Sequence, residues 1–330
     1  MRQLLRFAVI CAALILPAVA HAETKLNVVT SFSILADMAR QIGGEHVAVK
    51  SLIGPDADAH TFSPAPGDVK TLGKAKVFIV NGLEFEGWAK KLVKSAGFKG
   101  EMAVAAKGVS PLKPPHGGHE HEEHVKAEEH DHEHEEHAKA EEHDHEHGHH
   151  HTVDPHAWQS VANGLIYAAN IRDMLVKADP AHADAYKTSA DRYMAGLRKL
   201  DAWVKAEIAK VPEAKRKVIT AHHAFQYFGH AYGVAFIAPE GVSSEAAPSA
   251  KVVAHIVDQI RREHITALFF ENISDPRLIE QLKRDGGASI GGTLYSDAVS
   301  AKDGPAASYT AMIRHNVNQL VPAMLGNPGS

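Results

Sequence analysis

Apolar and polar residues along this chain fall into short blocks whose period keeps changing. The run Leu26-Asn-Val-Val-Thr30 is β-branched and brief, and it predicts a strand. Residues 34–42 follow at helical spacing, with Ser31 or Ser33 as the expected cap and Gly43-Gly44 as the stop. Residues 47–53 and 77–80 again read as strands. Further on, Trp158, Val161, Leu165, Ala168, Ile171 and Leu175 recur every three or four positions and predict the buried face of a helix.

Pro180 opens a longer pattern. Tyr186, Ala190, Tyr193, Leu197, Leu200, Val204 and Ile208 continue it as far as Pro212. About 29 residues at 1.5 Å each would span roughly 43 Å, long enough to cross two lobes. Beyond it, strands are expected at Val218-Ile-Thr220, Ala267-Leu-Phe-Phe270 and Ser289-Ile290, with a helix over 252–260. This alternation predicts an α/β protein of two α/β lobes joined by one long rigid helix. The expected boundaries are 23–179 for the N-terminal lobe, 180–211 for the linking helix and 212–330 for the C-terminal lobe.

Two segments break the pattern. In residues 1–22, Arg2 and Arg6 precede an apolar run that ends in Ala20-His21-Ala22. This is the layout of a cleaved signal peptide, with Glu23 as the expected first residue of the mature chain. The run of roughly 14 apolar residues is short of the ~20 a spanning helix needs, so no membrane insertion is expected after cleavage. The only cysteine, Cys11, lies upstream of the cleavage site. The mature chain is expected to be a periplasmic monomer without thiols, and any metal site must use His, Asp and Glu.

The second break is residues 116–151. Fourteen of the 25 histidines fall there, with thirteen acids and two lysines. A 13-residue unit starting at His124 is repeated from His137. So polar a segment cannot bury enough apolar surface to offset its chain entropy, and disorder is expected. Imidazoles beside carboxylates suit Zn²⁺, so this His-rich loop reads as a collector of several weakly held ions. The rest of the mature chain has 31 basic and 27 acidic residues, so the overall net charge of -5 comes from the insert. That balance argues against nucleic acid as a partner.

Ten histidines lie outside the leader and the insert. His46, His182, His230, His255, His264 and His315 stand in no motif and are expected at the surface or as satisfied core residues. Three others sit where loops meet strands or helices. His60 lies in Pro55-Asp-Ala-Asp-Ala-His60-Thr-Phe-Ser-Pro64, His156 in Asp154-Pro-His-Ala-Trp158, and His222 in His222-His-Ala-Phe225 after a strand. Open α/β sheets bind ligands with loops beyond their strand ends, and three such histidines form a plausible tetrahedral set.

At these motifs the chain resembles the ZnuA-type metal-binding solute-binding proteins of ABC importers, the cluster A-I family. His60-Thr-Phe-Ser-Pro, Asn81-Gly-Leu-Glu-Phe-Glu-Gly-Trp88, Asp154-Pro-His-Ala-Trp158, His222-His-Ala-Phe225 and Gly292-Thr-Leu-Tyr-Ser-Asp297 occur in the family order. The resemblance implies a metal site between the lobes, with His60, His156 and His222 as ligands and Asp297 as the fourth. Glu271 and Glu245 are reserve candidates for the carboxylate. His223 departs from the Asp or Gly usual in the family and is read as a neighbour of the ligands. The resemblance also implies a membrane permease as partner, and it makes the His-rich insert typical of zinc members.

Manganese members of the family present a carboxylate where His222 stands. Three imidazoles and one carboxylate favour borderline Zn²⁺ over harder Mn²⁺. Three histidines with an open position would also suit a hydrolytic zinc enzyme. If Asp297 closes the shell, no place remains for an activated water, so no enzymatic activity is expected. A zinc store or chaperone without a permease, and a manganese-binding member of the same family, are the alternatives.

Overall fold

The computed structural model describes residues 24–114, 152–245 and 247–326. The expected leader (1–22) and the His-rich insert (116–151) lie outside the described residues. The N-terminal part runs β1 (Leu26–Thr30), α1 (Ser33–Gly43), β2 (Val47–Ser51), α2 (Pro66–Gly73), β3 (Val77–Val80), α3 (Ala89–Ser95) and β4 (Glu101–Val104). Two long helices follow, α4 (Val161–Ala178) and α5 (Ala183–Ile208). The C-terminal part runs β5 (Lys217–Ile219), α6 (Gln226–Tyr232), β6 (Ala235–Ile237), α7 (Ala250–Glu263), β7 (Ala267–Glu271), α8 (Pro276–Gly286), β8 (Ser289–Leu294) and α9 (Tyr309–Leu325).

Each part forms a four-stranded parallel sheet, and the two sheets share one topology. The orders are β2-β1-β3-β4 and β6-β5-β7-β8. In both, the chain reverses its direction of growth beside the first strand, so a crevice opens between the loops that leave the first and third strands. The crevice of the second sheet carries one of the four clustered side chains described below.

Burial follows from this layering. β3 reads Val-Phe-Ile-Val and is buried along its whole length, as expected for a strand covered on both faces. One large inner core joins the lobes and includes Phe32, Trp158, Tyr167, Phe225, Leu294 and Tyr309. Two smaller outer cores lie beneath α2 and α3 (Leu72, Phe78, Leu92) and beneath α7 and α8 (Ile256, Leu268, Leu282). The 26-residue α5 is about 39 Å long at 1.5 Å per residue. It packs on α1 and α4 and also on α6 and α9, so it spans both lobes. Among the described residues no helix is long and apolar enough to cross a membrane.

Several expectations need correction. Neither Ser31 nor Ser33 caps α1; Phe32 holds the cap position without a side-chain bond. Both serines are engaged elsewhere: Ser31 Oγ donates to Glu86, and Ser33 Oγ accepts from Val299 N. The long helix begins later than Pro180, after a tight turn over Pro180–His182, and its core face uses Met194 where Tyr193 is only half-buried. The strand expected over 47–53 stops at Ser51. β8 runs on past Ile290 to Leu294 through an irregularity opposite Leu268 and Phe270. There Gly291 and Gly292 are required: a Cβ on Gly291 would meet the Phe269 ring at 2.6 Å, and Gly292 has φ +126°. Edge strands β4 and β6, and helices α2, α3, α6, α8 and α9, have no counterpart in the pattern-based expectations.

Candidate metal centre

Four side chains converge between the lobes. His60, His156, His222 and Asp297 are all buried, and one potential ligand atom from each lies within 4.8 Å of all the others. His60 Nε2 stands 3.2 Å from His156 Nε2 and 3.1 Å from Asp297 Oδ2. His222 Nε2 is 3.3 Å from Asp297 Oδ2, and His156 Nε2 is 3.5 Å from Asp297 Oδ1. Among the described residues this is the one group of such side chains close enough to hold an ion together.

Local sequence explains how each is held. His60 ends a loop in which Asp58 Oδ1 accepts from His60 N (2.8 Å) while Asp58 Oδ2 accepts from Ser244 Oγ (2.6 Å) in the other lobe. Two residues earlier, Asp56 adopts φ +53°, donates its N–H to Val299 O and accepts from Ala301 N and Asn272 Nδ2. The loop before α2 is thereby tied to the segment that carries Asp297. In Asp154-Pro155-His156, the carboxylate of Asp154 accepts from His156 N at 2.9 Å and from His156 Nδ1 at 2.7 Å. This local turn fixes both the backbone and the ring. His222 leaves the end of β5. Glu271, at the end of β7, accepts from Ala221 N and His222 N, and its other oxygen lies 2.7 Å from His222 Nδ1. Asp297 follows β8, where the carbonyl of its neighbour Ser296 accepts from Trp158 Nε1 and Gln159 Nε2.

Each carboxylate at an imidazole Nδ1 fixes the tautomer and turns Nε2 toward the centre, the usual outer support of a metal-binding histidine. Aromatic walls close the other sides. The Phe85 ring is 5.1 Å from His60 and 6.2 Å from His156, and Trp158 is 5.2 Å from His156.

The electrostatics are those of a buried cluster with excess negative charge. Burial alone would lower the His222 pKa, but the Glu271 and Asp297 carboxylates outweigh it and hold the imidazolium well above its ordinary value. Burial would likewise raise Asp297, yet His156 and His222 hold it well below the usual carboxylate range. Both Asp297 oxygens are buried and, among the described residues, make no hydrogen bond of ordinary geometry. Burial next to His222 pushes His223 down to about 4, and burial lifts Glu240 up to about 7.

The structure therefore brings together the four residues singled out in the sequence and separates the reserves. Glu245 is exposed, and Glu271 is buried behind His222. His223 turns its N–H to Gly241 O, and its buried Nδ1 has no hydrogen-bond partner among the described residues. Of the other histidines, His46 and His182 stack with centroids 4.1 Å apart, His182 bonds Asp179, His315 meets Thr293 O, and His264 ends α7 in a left-handed conformation. Sequence reasoning missed the supporting role of Asp154. An acid two residues before a candidate histidine, where its side chain can reach the backbone, is a signal that could have found it.

Comparison with known proteins finds metal-binding relatives. The chain is 32% identical over 308 residues to the manganese-binding lipoprotein MntA of Bacillus subtilis (strain 168), covering 92% of this chain and 91% of that one. It is 29% identical over 299 residues to the iron-binding protein YfeA of Yersinia pestis, covering 90% and 85%. Among solved structures, the periplasmic zinc binding protein TroA from Treponema pallidum superposes with a TM-score of 0.76 at 25% identity, over 91% of this chain and 99% of that one. The profile of the ZnuA family, zinc-uptake complex component A, periplasmic, matches residues 28–323, and the chain belongs to that family.

Proposed function

We propose that this protein captures Zn²⁺ in the periplasm through His60, His156, His222 and Asp297 and delivers it to the permease of an ABC importer. The observation that carries this reading is the spacing of the four ligand atoms. Zn–N and Zn–O bonds of about 2.0–2.2 Å in a tetrahedron place neighbouring ligand atoms about 3.3–3.6 Å apart. His60 Nε2 to His156 Nε2, and each imidazole Nε2 to an Asp297 oxygen, lie 3.1 to 3.5 Å apart, and all four ligand atoms lie within 4.8 Å of one another, which fits such a shell after adjustment. The chemistry of the donors supports the same ion. Three imidazoles and one carboxylate form a borderline set, whereas Mn²⁺ prefers more oxygen. All four side chains are buried, and a tetrahedral shell that Asp297 closes would favour holding the ion over using it, because catalytic zinc keeps one position for a water.

A manganese or iron cargo is the second reading, favoured by the metals for which MntA and YfeA are named. Competition calorimetry tests the affinity order that the zinc reading requires. The protein is loaded with Mn²⁺ and titrated with Zn²⁺, then the order is reversed. Displacement of manganese by equimolar zinc, and no displacement in the reverse order, is expected. Retention of manganese against zinc would overturn the choice of ion.

A further inference from the structure

The motif Asn81-Gly-Leu-Glu-Phe-Glu86 contributes none of the four clustered side chains, yet it holds a costly conformation. Gly82, Leu83 and Glu84 take φ values of +87°, +52° and +63° in succession. Two of them are not glycine, and L side chains resist the left-handed region. Strain of this kind persists only where the surroundings enforce it, and it collects near functional sites.

What enforces it is a carboxylate. Glu86 reaches back to the ends of β1 and β3. Its Oε1 accepts from Ser31 Oγ at 2.6 Å and from Asn81 N at 2.7 Å, and its Oε2 accepts from Gly82 N at 3.1 Å. Its partners among the described residues are a hydroxyl and backbone N–H groups, with no lysine or arginine. Three residues of the turn then touch the ligand loops. Asn81 Nδ2 donates to Pro155 O, next to His156, while Tyr167 OH donates to Asn81 Oδ1. The Glu84 carboxylate accepts from Thr152 N and Oγ at 2.8 and 2.7 Å, four residues before His156. Phe85 sets its ring against both His60 and His156.

We propose that Glu86 is a positioning residue for metal capture: it locks the left-handed turn, and the turn sets the orientation of His60 and His156. The other lobe offers an independent parallel. There Glu271, at the end of the third strand of its sheet, accepts from backbone N–H groups at the end of the first strand and faces His222 directly. Glu86, in the turn that follows the third strand of the N-terminal sheet, accepts from a side chain at the end of its first strand and acts one step further from its histidines, through Phe85, Asn81 and Glu84. The inference rests on these histidines being metal ligands.

The test uses the full chain with Co²⁺ and Zn²⁺ as probes. The visible spectrum of bound cobalt reports coordination geometry, and zinc affinity is read by chelator competition. Glu86→Ala is expected to alter the cobalt bands and lower zinc affinity about tenfold, the low end for outer-shell partners. Glu86→Gln, whose carbonyl still accepts two bonds, should restore most of both. Leu282→Ala, in the outer core of the other lobe, is the control for general destabilisation and should leave the cobalt bands unchanged at a similar loss of melting temperature. If Glu86→Ala does not fold, Phe85→Leu takes its place, with a spectral change expected. Wild-type cobalt bands in folded Glu86→Ala or in Phe85→Leu would overturn the inference, as would an equal spectral change in Leu282→Ala. His156→Ala keeps the two readings apart. If it leaves the wild-type spectrum unchanged, the ligand assignment itself is wrong and the inference goes with it. If it abolishes the spectrum while Glu86→Ala does not alter it, the assignment stands and the inference alone fails.

Discussion

The two lobes share a sheet order and differ in how close each brings its strand-end glutamate to the clustered side chains. In the C-terminal lobe, Glu271 lies 2.7 Å from His222 Nδ1, so a single carboxylate both orders the strand ends and supports a candidate ligand. In the N-terminal lobe these tasks are divided: Glu86 orders the strand ends, while Asp154 supports His156 from within its own loop. One topology thus supports imidazoles in two ways, and the C-terminal way concentrates more of the site on fewer residues.

The largest effects are expected at the clustered side chains. His156→Ala and His222→Ala should each weaken zinc binding well beyond the ~10–100-fold typical of outer-shell partners. Asp297→Ala should cost less, since water can replace one oxygen. Calorimetric titration checks the order; His222→Ala binding zinc as tightly as wild type would break the comparison. Next come Asp154→Asn and Glu271→Gln, each expected to lower affinity by ~10–100-fold. Glu271→Gln should cost more, because it disturbs both the His222 ring and the backbone N–H groups of Ala221 and His222. Equal losses, measured by chelator competition, would remove the asymmetry between the lobes.

Much of this was legible in the chain. The boundaries of β1 and β3 follow from short apolar runs, the three clustered histidines stand in loop motifs, and Asp297 is marked by the family resemblance alone. What was not legible depends on long-range partners. Ser31 and Ser33 look like helix caps until Glu86 and Val299, far away in sequence, claim their hydroxyls. Edge strand β4 exposes Met102 and Val104, so no alternation marks it. Glu271 is expected only as a reserve ligand, and its support of His222 emerges once β7 places it behind that ring.

Binding should also move protons. The folded-state pKa of His222 is raised, so its contribution to the stability of the ion-free protein is fully present below its ordinary value of 6.5 and is lost as pH rises through the raised value. Asp297 is depressed, so its contribution is present above 3.8 and is lost as pH falls through the lowered value. Zinc requires the neutral imidazole, so binding near neutral pH should release about one proton from His222, and affinity should rise with pH. Calorimetry in buffers of different ionisation heat checks this, and Glu271→Gln should reduce the release. A buffer-independent binding heat in wild type would contradict it.

Thermal stabilisation comes next. At a zinc concentration about 1,000 times Kd the folded state should gain about 4 kcal/mol. A melting curve unmoved by zinc would contradict a tight site shared by both lobes. The smallest effect on the main site is expected from deleting residues 116–151. Asp154 N donates to Leu112 O at 2.8 Å, and Tyr227 OH joins the same two strands of chain, so the ends of the excised segment are already held together. Loop-closure cost changes slowly with length. The shortened protein should keep the tight site with a nearly unchanged Kd and lose the weaker zinc equivalents. Full retention of stoichiometry in a titration, or loss of the tight site, would defeat this.

The central claim is that one zinc ion is held by His60, His156, His222 and Asp297. Crystals grown with equimolar Zn²⁺ and Mn²⁺, with data collected on either side of the zinc absorption edge, test it most directly. The account predicts a single anomalous peak between the lobes that appears only above the zinc edge, within bonding distance of the three Nε2 atoms and an Asp297 oxygen. A peak that persists below the zinc edge, or one centred on other residues, would contradict it.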